Sequence, residues 1–320
     1  MIGARSMVAN SSGNLATQRP RDSCARAMGI ANGHHGEILQ GLFVDEDGRR
    51  HRGLITLAFP YVQSTAWAER SATPGVEFSP VAREKAHRAV MLFLRNHLKR
   101  GEGISVQVCS NIPMGFGLGS STADVVAAVR ACARALRCSI SPTEIFQIAV
   151  QAEEASDGTM FQGKARLVAH REGRVLKTFD KRLPHFGLVS FNADPDRPVD
   201  TIGFEPARYD EDEVGEFQEL KRMAARAIAT DDAALLGQIA TRSAIINERF
   251  LPQPDFREVL EFSQRSGGLG VQVAHSGRIV GVMVAPDIGV THLKRLLGGL
   301  REIGFLPTYY PALEQQLERW

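Results

Sequence analysis

The sequence predicts an α+β fold with two domains, and three observations support this prediction. Strand-like segments and amphipathic helices are mixed along the chain without the strict strand–helix alternation of a doubly wound sheet. A polar turn at Ser276-Gly277 lies between two apolar runs and predicts an antiparallel hairpin. The 320 residues, 43% of them hydrophobic, are enough for two domains of ordinary size. We place one domain at 28–185, the other at 186–320, and a disordered leader rich in Ser, Asn, Gly and Arg at 1–27.

The composition excludes several classes of protein. Lys and Arg number 38 against 36 Asp and Glu, a balance that argues against a nucleic-acid surface, which usually needs a basic stripe. No run of about 18 apolar residues occurs, so we expect no membrane span. The four cysteines form no C-x-x-C pair and are expected to be free thiols in a reducing cytoplasm.

The sequence of the N-terminal half predicts several strands, with one amphipathic helix between them in sequence order. Residues 28–44 suggest two strands joined by a polar turn at 31–37, and branched and aromatic residues predict strands at 55–59 and 62–67. A helix is expected over 83–100, where apolar residues recur with helical spacing and Gly101 follows. Alternating apolar and polar residues at 104–108 predict a strand that leads into a glycine-rich loop.

Two further helices follow this loop. The first has an apolar face formed by Val125, Val129, Cys132 and Leu136. The second begins with the capping box Ser141-Pro142-Thr143-Glu144 and is expected to run to about Glu154. Beyond it we predict a hairpin at 168–175, a strand at 188–191, a loop at 194–213, helices at 214–229, 232–249 and 255–265, strands at 270–275 and 278–285, a helix at 289–302 and a strand near Thr308.

The segment Ser110–Thr122 carries most of the functional information. Gly115, Gly117 and Gly119 leave the backbone free to curl, and a helix begins directly after them. The unpaired N–H groups and positive dipole end of a helix N-terminus bind phosphate. A P-loop would need a lysine before Ser120, and a dinucleotide fingerprint would need G-x-G-x-x-G spacing; both are absent. The loop therefore predicts a phosphate cradle of another kind, and the spacing disfavours a dinucleotide-dependent oxidoreductase.

The loop resembles Pro-x-x-x-Gly-Leu-Gly-Ser-Ser, the signature of the GHMP kinase superfamily, with Thr122 where alanine is usual. Three more segments, in the expected order, resemble the L-threonine kinase branch of that superfamily. They are Gly33-His34-His35-Gly36-Glu37-Ile38-Leu39-Gln40-Gly41, Glu154-Ala155-Ser156-Asp157-Gly158-Thr159, and 270–281 with its Ala274-His275-Ser276-Gly277 string. Asn32 stands where proline is usual before the first of these segments.

The resemblance implies an N-terminal ribosomal-protein-S5-domain-2-like domain and a C-terminal ferredoxin-like domain. It also implies an enzyme that uses ATP and Mg²⁺, with Mg²⁺ bound by Ser121 or its neighbour Ser120 and by Glu154 in preference to Glu153. The residues implied to bind the nucleotide are Pro113, Gly115, Gly117, Leu118, Gly119, Ser120, Ser121 and Thr122.

On the acceptor side, the resemblance implies that Asp157 acts as a base or orients an alcohol. Glu37, His35, His275 and Ser276 are the candidate substrate contacts. A zinc site at His34-His35-x-Glu37 is disfavoured because no further Cys/His cluster accompanies it. The most specific acceptor implied is L-threonine. The alternative acceptors are another hydroxy amino acid and an unrelated small alcohol. The alternative function is a non-catalytic metabolite sensor of the same fold. The oligomeric state is open, and a homodimer is possible.

Overall fold

The computed structural model describes residues 26–197, 207–274 and 277–311. Within these residues the chain forms ten strands and seven helices. The strands are β1 (Ala27–Val44), β2 (Arg50–Ser71), β3 (Gly75–Ser79), β4 (Gly103–Ser110), β5 (Arg166–Ala169), β6 (Arg174–Thr178), β7 (Gly187–Asn192), β8 (Gly270–Val273), β9 (Ile279–Val284) and β10 (Thr308–Tyr310). The helices are α1 (Glu84–Leu94), α2 (Ser120–Ala135), α3 (Pro142–Glu153), α4 (Glu211–Thr230), α5 (Ala233–Asn247), α6 (Phe256–Arg265) and α7 (Val290–Ile303).

The described strands form one sheet in the order β10-β7-β9-β8-β1-β2-β4-β3, while β5 pairs with β2 and β6. All the pairs are antiparallel except β3–β4, and the helices are interspersed, so the α+β prediction is confirmed. The sheet crosses the boundary predicted near residue 185, because Glu37 on β1 pairs with Val273 on β8. The division at 28–185 and 186–320 stays a prediction, and most of the predicted leader, residues 1–25, lies outside the described residues.

Two long strands replace several shorter predicted segments. Residues 31–37 are not a turn between strands but an irregular part of β1, with register shifts between Asn32 and Gly33 and between His34 and Glu37. Gly36 has φ +64° there, which lets the strand bulge without ending. The two strands predicted at 55–59 and 62–67 are likewise one strand, β2, and β3 was not predicted.

Most of the other predicted elements are confirmed. The capping box at Ser141 is present, with both the side-chain and backbone hydrogen bonds to Glu144, and α3 ends at Glu153. The hairpins β5–β6 and β8–β9 form as predicted. Helix α1 is shorter than expected and ends at Leu94, whereas α4 begins earlier, at Glu211, where Asp210 supplies a second capping box.

Helix α2 lies against β1 and β2 and is almost fully buried on one side. Val125, Val129 and Cys132 are each 0% exposed. The surrounding core also takes in α4 and α5 from the second half of the chain, and a smaller cluster lies among β7–β9, α6 and α7. This packing fixes the N-terminus of α2 beside the irregular part of β1. The described helices include none with the length and apolar character needed to cross a membrane.

Candidate active site

The glycine loop is held in a shape that only glycine adopts readily. Gly115, Gly117 and Gly119 have φ values of +84°, +85° and +71°. A Cβ on Gly117 would lie 2.7 Å from the Ala274 Cβ and 2.8 Å from the Gly277 Cα, so the loop also passes close to the β8–β9 hairpin. The glycines therefore provide both the left-handed backbone and the close approach.

The loop is also docked against β1. The His34 N–H donates to the Leu118 carbonyl at 3.0 Å, and a Cβ on Gly119 would overlap the His34 ring. Gly119 is the N-cap of α2 and offers no side chain to cap the helix. The first N–H groups of α2 therefore remain available to an anion at this end of the helix.

A cavity of about 710 Å³ opens in front of this helix end. Its wall includes the loop from Gly115 to Thr122, the first turns of α1, the end of α3 and the irregular part of β1. It continues past Asp157 to Arg52 on β2 and to His170 and Arg171 beside the β5–β6 hairpin. Small-molecule sites commonly occupy 300–1,000 Å³, so this cavity is large enough for a nucleotide tail and a small second substrate.

Two hydroxyls and one carboxylate meet at the start of α2. The Ser121 Oγ donates to the Glu153 Oε2 at 2.7 Å, and the Thr122 Oγ1 donates to the Glu153 Oε1 at 2.8 Å. Burial raises the pKa of Glu153 to about 7, against the opposing effect of these two hydrogen bonds. Hydroxyl and carboxylate oxygens are hard ligands of the kind Mg²⁺ prefers, so the Ser121–Glu153 pair fits a magnesium ion.

The structure does not bring Glu154 into this contact. Glu154 caps the C-terminus of α3 in a left-handed conformation, with φ +68°, and its side chain is exposed at the cavity edge. Because the helix ends one residue before it, Glu154 turns away while Glu153 faces α2. The hydroxyl contacts thus favour Glu153 over the Glu154 preferred from the sequence.

Asp157 and His34 form an ion pair in the middle of the cavity. The His34 Nε2 lies 2.8 Å from the Asp157 Oδ2, and the His34 side chain is 1% exposed. Burial lowers the pKa of His34, but the Asp157 carboxylate, with help from Glu37, outweighs it and raises that pKa to about 9. Burial favours the neutral acid of Asp157, but charged His34 reverses this effect and lowers the Asp157 pKa. The shifts of the two pKa values favour imidazolium and carboxylate at neutral pH. The Gly36 N–H lies 3.0 Å from the His34 Nδ1, so a proton on that nitrogen requires this N–H to give up its contact.

Glu37 completes a cluster with these two residues. Ligand atoms of His34, Glu37 and Asp157 all lie within 4.8 Å of one another, and Glu37 is 3% exposed. A metal ligand must be a neutral imidazole, whereas His34 is protonated in its pair with Asp157. The cluster is therefore better suited to binding polar groups of a substrate than to holding zinc.

Comparison with known proteins agrees with this geometry. Residues 84–162, which include the loop, Glu153 and Asp157, match the family described as GHMP kinases N terminal domain. The L-threonine kinase of Salmonella typhimurium is 27% identical over 281 residues, covering 83% of this chain and 85% of the relative. The L-threonine kinase of Citrobacter freundii is 28% identical, covering 67% and 73%. Residues 84–162 therefore form a GHMP kinases N terminal domain, and most of the chain is similar to two L-threonine kinases.

A solved structure supports the same fold. The homoserine kinase from Cytophaga hutchinsonii superposes with a TM-score of 0.65 at 16% identity, covering 93% of this chain and 96% of that one. The predicted GHMP kinase fold is therefore confirmed. The matched N-terminal domain and the two kinase relatives support a phosphotransferase.

Most of the residues predicted to bind nucleotide line the cavity. They are Gly115, Gly117, Leu118, Gly119, Ser120, Ser121 and Thr122. Pro113 is exposed at the start of the loop and does not line the cavity, so its contact with nucleotide stays a prediction. Of the two serines considered for the metal, Ser121 contacts Glu153.

The structure separates His35 from the cavity. Its ring bonds to the Gln272 Oε1 at 2.6 Å and to the Ser190 Oγ at 2.7 Å, and it is 0% exposed. Burial lowers its pKa to about 4, so the ring is neutral. The structure does not place the predicted substrate contact His35 in the cavity wall, whereas His34, its neighbour on β1, lines the cavity.

The remaining predicted substrate residues have different outcomes. Glu37 lines the cavity, whereas His275 and Ser276 lie outside the described residues. The sequence interpretation missed His34, Arg52, His170 and Arg171. Arg52, His170 and Arg171 line the cavity because of the way β2 packs against the β5–β6 hairpin. No local pattern in the sequence predicts that packing.

Proposed function

We propose that this GHMP kinase transfers the γ-phosphoryl group of Mg·ATP to the hydroxyl of a small polar metabolite, with L-threonine as the acceptor. One observation supports this proposal above the others: the glycine cradle, the Ser121–Glu153 pair and the His34–Asp157 pair all face a single cavity. Phosphoryl transfer needs positioning and charge neutralisation more than covalent catalysis, and this arrangement provides both.

The phosphate end of the cavity is electropositive without a P-loop lysine. The N-terminal N–H groups of α2 face it, and Lys85 and Arg88 of α1 also line it. Arg83, just before α1, pairs with the buried Asp124 of α2 at 2.7 Å and so holds the two helices together. We assign the β- and γ-phosphates to this end, where backbone dipoles and two cations balance their charge.

Ser121 and Glu153 are the residues that would hold Mg²⁺ in this proposal. When bound, the ion would neutralise charge on the phosphate oxygens during transfer. Glu153 with Ser121 and Thr122 gives a set of hard oxygens held by mutual hydrogen bonds before any ligand arrives.

Asp157 is assigned to the acceptor hydroxyl. Its carboxylate accepts a hydrogen bond from that hydroxyl and aims the oxygen at the γ-phosphorus. As the new P–O bond forms and the bond to ADP breaks, the hydroxyl proton leaves towards Asp157 or a phosphate oxygen. Protonated His34 keeps Asp157 ionised and adds a positive charge beside the reacting groups.

Two observations support L-threonine as the acceptor. Both curated relatives reported above are L-threonine kinases and align over 83% and 67% of this chain. Glu37, in the cluster with Asp157, offers a carboxylate for the ammonium group of an amino acid. Another hydroxy amino acid or a small alcohol are the alternative acceptors, and a cytoplasmic location and a homodimer stay predictions.

An acceptor screen tests the proposal. The protein is incubated with ATP, Mg²⁺ and a panel of hydroxy amino acids and simple alcohols, and mass spectrometry detects the gain of one phosphoryl group. We expect O-phospho-L-threonine together with stoichiometric ADP. Saturable binding of ATP and L-threonine with no transfer would contradict the proposal and would favour the sensor alternative.

A further inference from the structure

The cavity extends beyond Asp157 into a basic end that the transfer mechanism leaves unused. Arg52 lies on β2, and His170 and Arg171 follow β5 directly. The Gly158 N–H donates to the Thr56 Oγ1 at 2.9 Å, which places Asp157 beside β2. Because alternate strand residues share a face, Thr56, Leu54 and Arg52 lead from Asp157 to this end, while Lys85 and Arg88 stand at the phosphate end.

Among the residues that the structure describes, neither guanidinium group at this end has an acidic partner. No carboxylate among residues 26–197, 207–274 and 277–311 forms an ion pair with Arg52 or Arg171. The Arg52 guanidinium lies 6.0 Å from the centre of the Tyr209 ring, which steadies it without neutralising it. By contrast, Arg50 on the same strand pairs with Glu211 at 2.8 Å. Two unneutralised cations in one cavity favour an anionic ligand.

His170 supplies a second, independent observation. Its Nδ1 is buried and has no hydrogen-bond partner among the described residues, although its ring also bonds to the Arg52 backbone. Burial lowers the pKa of His170 to about 4, so the ring is neutral. The positive charges of Arg171 and Arg52 also lower this pKa, whereas the Asp157 carboxylate raises it. A buried polar atom without a partner is costly, so a ligand group or a bound water is expected to satisfy it.

We propose that Arg52 and Arg171 form the subsite that binds the carboxylate of the acceptor, and that His170 positions that ligand through its Nδ1. The acceptor class is then a small hydroxy acid whose hydroxyl lies at Asp157 and whose carboxylate points towards β2 and the β5–β6 hairpin. Arg52 and Arg171 are specificity residues, because guanidinium binds carboxylate through paired hydrogen bonds that a neutral group cannot replace. This inference rests on the proposed function.

The test compares acceptors with and without the carboxylate charge. Steady-state rates are measured for wild type, R52Q and R171Q with L-threonine, L-serine, L-homoserine and L-threoninamide. We expect the KM for L-threonine to rise at least about tenfold in R52Q and R171Q, while the KM for ATP stays within about twofold. The preference of the wild type for L-threonine over L-threoninamide should shrink by a similar factor. R174Q, an exposed position on β6, is the matched control and should behave as wild type.

Several outcomes would overturn the subsite. If R52Q and R171Q leave the KM for L-threonine unchanged, or raise the KM for ATP more than the KM for L-threonine, the two arginines do not bind the acceptor carboxylate. Transfer to uncharged alcohols alone would overturn it while leaving the kinase proposal intact. If the wild type transfers phosphate to nothing, the proposed function fails, and calorimetric titration of the same panel decides the subsite. Carboxylate binding lost in R52Q supports it, and equal binding in wild type and R52Q contradicts it.

Discussion

His34 and Asp157 show how one residue pair sets the chemistry of the cavity. A buried histidine alone would be neutral, and a buried aspartate alone would tend to be protonated. At 2.8 Å each favours the charged form of the other, and in the proposed function the Asp157 carboxylate orients the acceptor hydroxyl.

Replacing Asp157 with asparagine should remove the group that orients the hydroxyl. We expect kcat to fall at least about 100-fold, the usual scale for a positioned acid or base, while ATP affinity stays within about threefold of wild type. Steady-state kinetics and calorimetric ATP binding measure the two quantities. Asp180→Asn, at an exposed position, is the matched control, and a kcat for D157N close to that of the control would contradict the assignment.

The raised pKa of His34 predicts an alkaline limit to activity. His34 is protonated below about pH 9 and loses its charge above it, so kcat/KM should fall as pH rises through about 9. The stabilisation from this group is fully present below its ordinary pKa of 6.5 and is lost as pH rises through 9. The rate profile and urea unfolding of wild type and H34Q, measured from pH 6 to 10, test both effects. An alkaline limb in H34Q identical to that of wild type would refute this role.

At the scale of elements, the start of α2 depends on a loop whose glycines serve different needs. Gly119 combines a left-handed backbone with contact to His34, so the loop, the helix and β1 are fixed together. Gly48 has a similar φ, +77°, but open space around its Cα. A methyl group at either position strains the backbone, but only at Gly119 would it also collide with the His34 ring. Comparing the two positions therefore separates these two effects.

Gly119→Ala should disturb the cradle more than Gly48→Ala. Both substitutions carry the strain of a left-handed residue, about 1 kcal/mol, but only the first forces the methyl group into the His34 ring. We expect ATP affinity to fall at least tenfold in G119A and to be unchanged in G48A, as measured by calorimetry. Equal ATP affinity in the two variants would show that the loop does not bind the phosphates.

Glu153→Gln should weaken the dependence on Mg²⁺, whereas Glu154→Gln should have little effect. Glu153 carries the two hydroxyl contacts, and an amide is a poorer ligand for Mg²⁺ than a carboxylate. We expect the Mg²⁺ concentration for half-maximal rate to rise about tenfold or more in E153Q. If E154Q shows the larger rise, Glu154 is the metal ligand, as the sequence resemblance implied, and the assignment of Glu153 from its hydroxyl contacts is wrong.

The sequence predicted those parts of the site that depend on local patterns. The loop from Gly115 to Thr122 and the capping box of α3 need only their own residues, and they appear where predicted. The sequence also predicted His35 as the histidine in contact with substrate, and regular strand alternation would place His35 on the same face as Glu37. The bulge at Gly36 instead puts His34 and Glu37 on the cavity side. That bulge depends on packing between Gly36 and β8, which the local sequence does not report.

At the scale of the whole molecule, the sheet joins the two halves of the chain through β1 and β8. His35 lies at this junction, where it links β1 to Gln272 on β8 and to Ser190 on β7. The main core also contains residues of α4 and α5 together with those of α2. The cavity is therefore held by elements from both halves.

His35→Ala should destabilise the fold and leave the chemistry largely intact. Loss of a buried ring and of its two hydrogen bonds should lower the free energy of unfolding by about 2–4 kcal/mol. The KM for both substrates should stay within about threefold of wild type because His35 does not line the cavity. Urea unfolding and steady-state kinetics test this, with exposed His292→Ala as control. A stable H35A enzyme with a greatly raised acceptor KM would restore His35 as a substrate contact.

The most direct test of the whole account is a crystal structure with Mg²⁺, a non-hydrolysable ATP analogue and L-threonine. We predict the triphosphate against the N–H groups at the start of α2, Mg²⁺ on Ser121 and Glu153, and the threonine hydroxyl between Asp157 and the γ-phosphate. A triphosphate bound away from the loop from Gly115 to Ser121 would contradict the account.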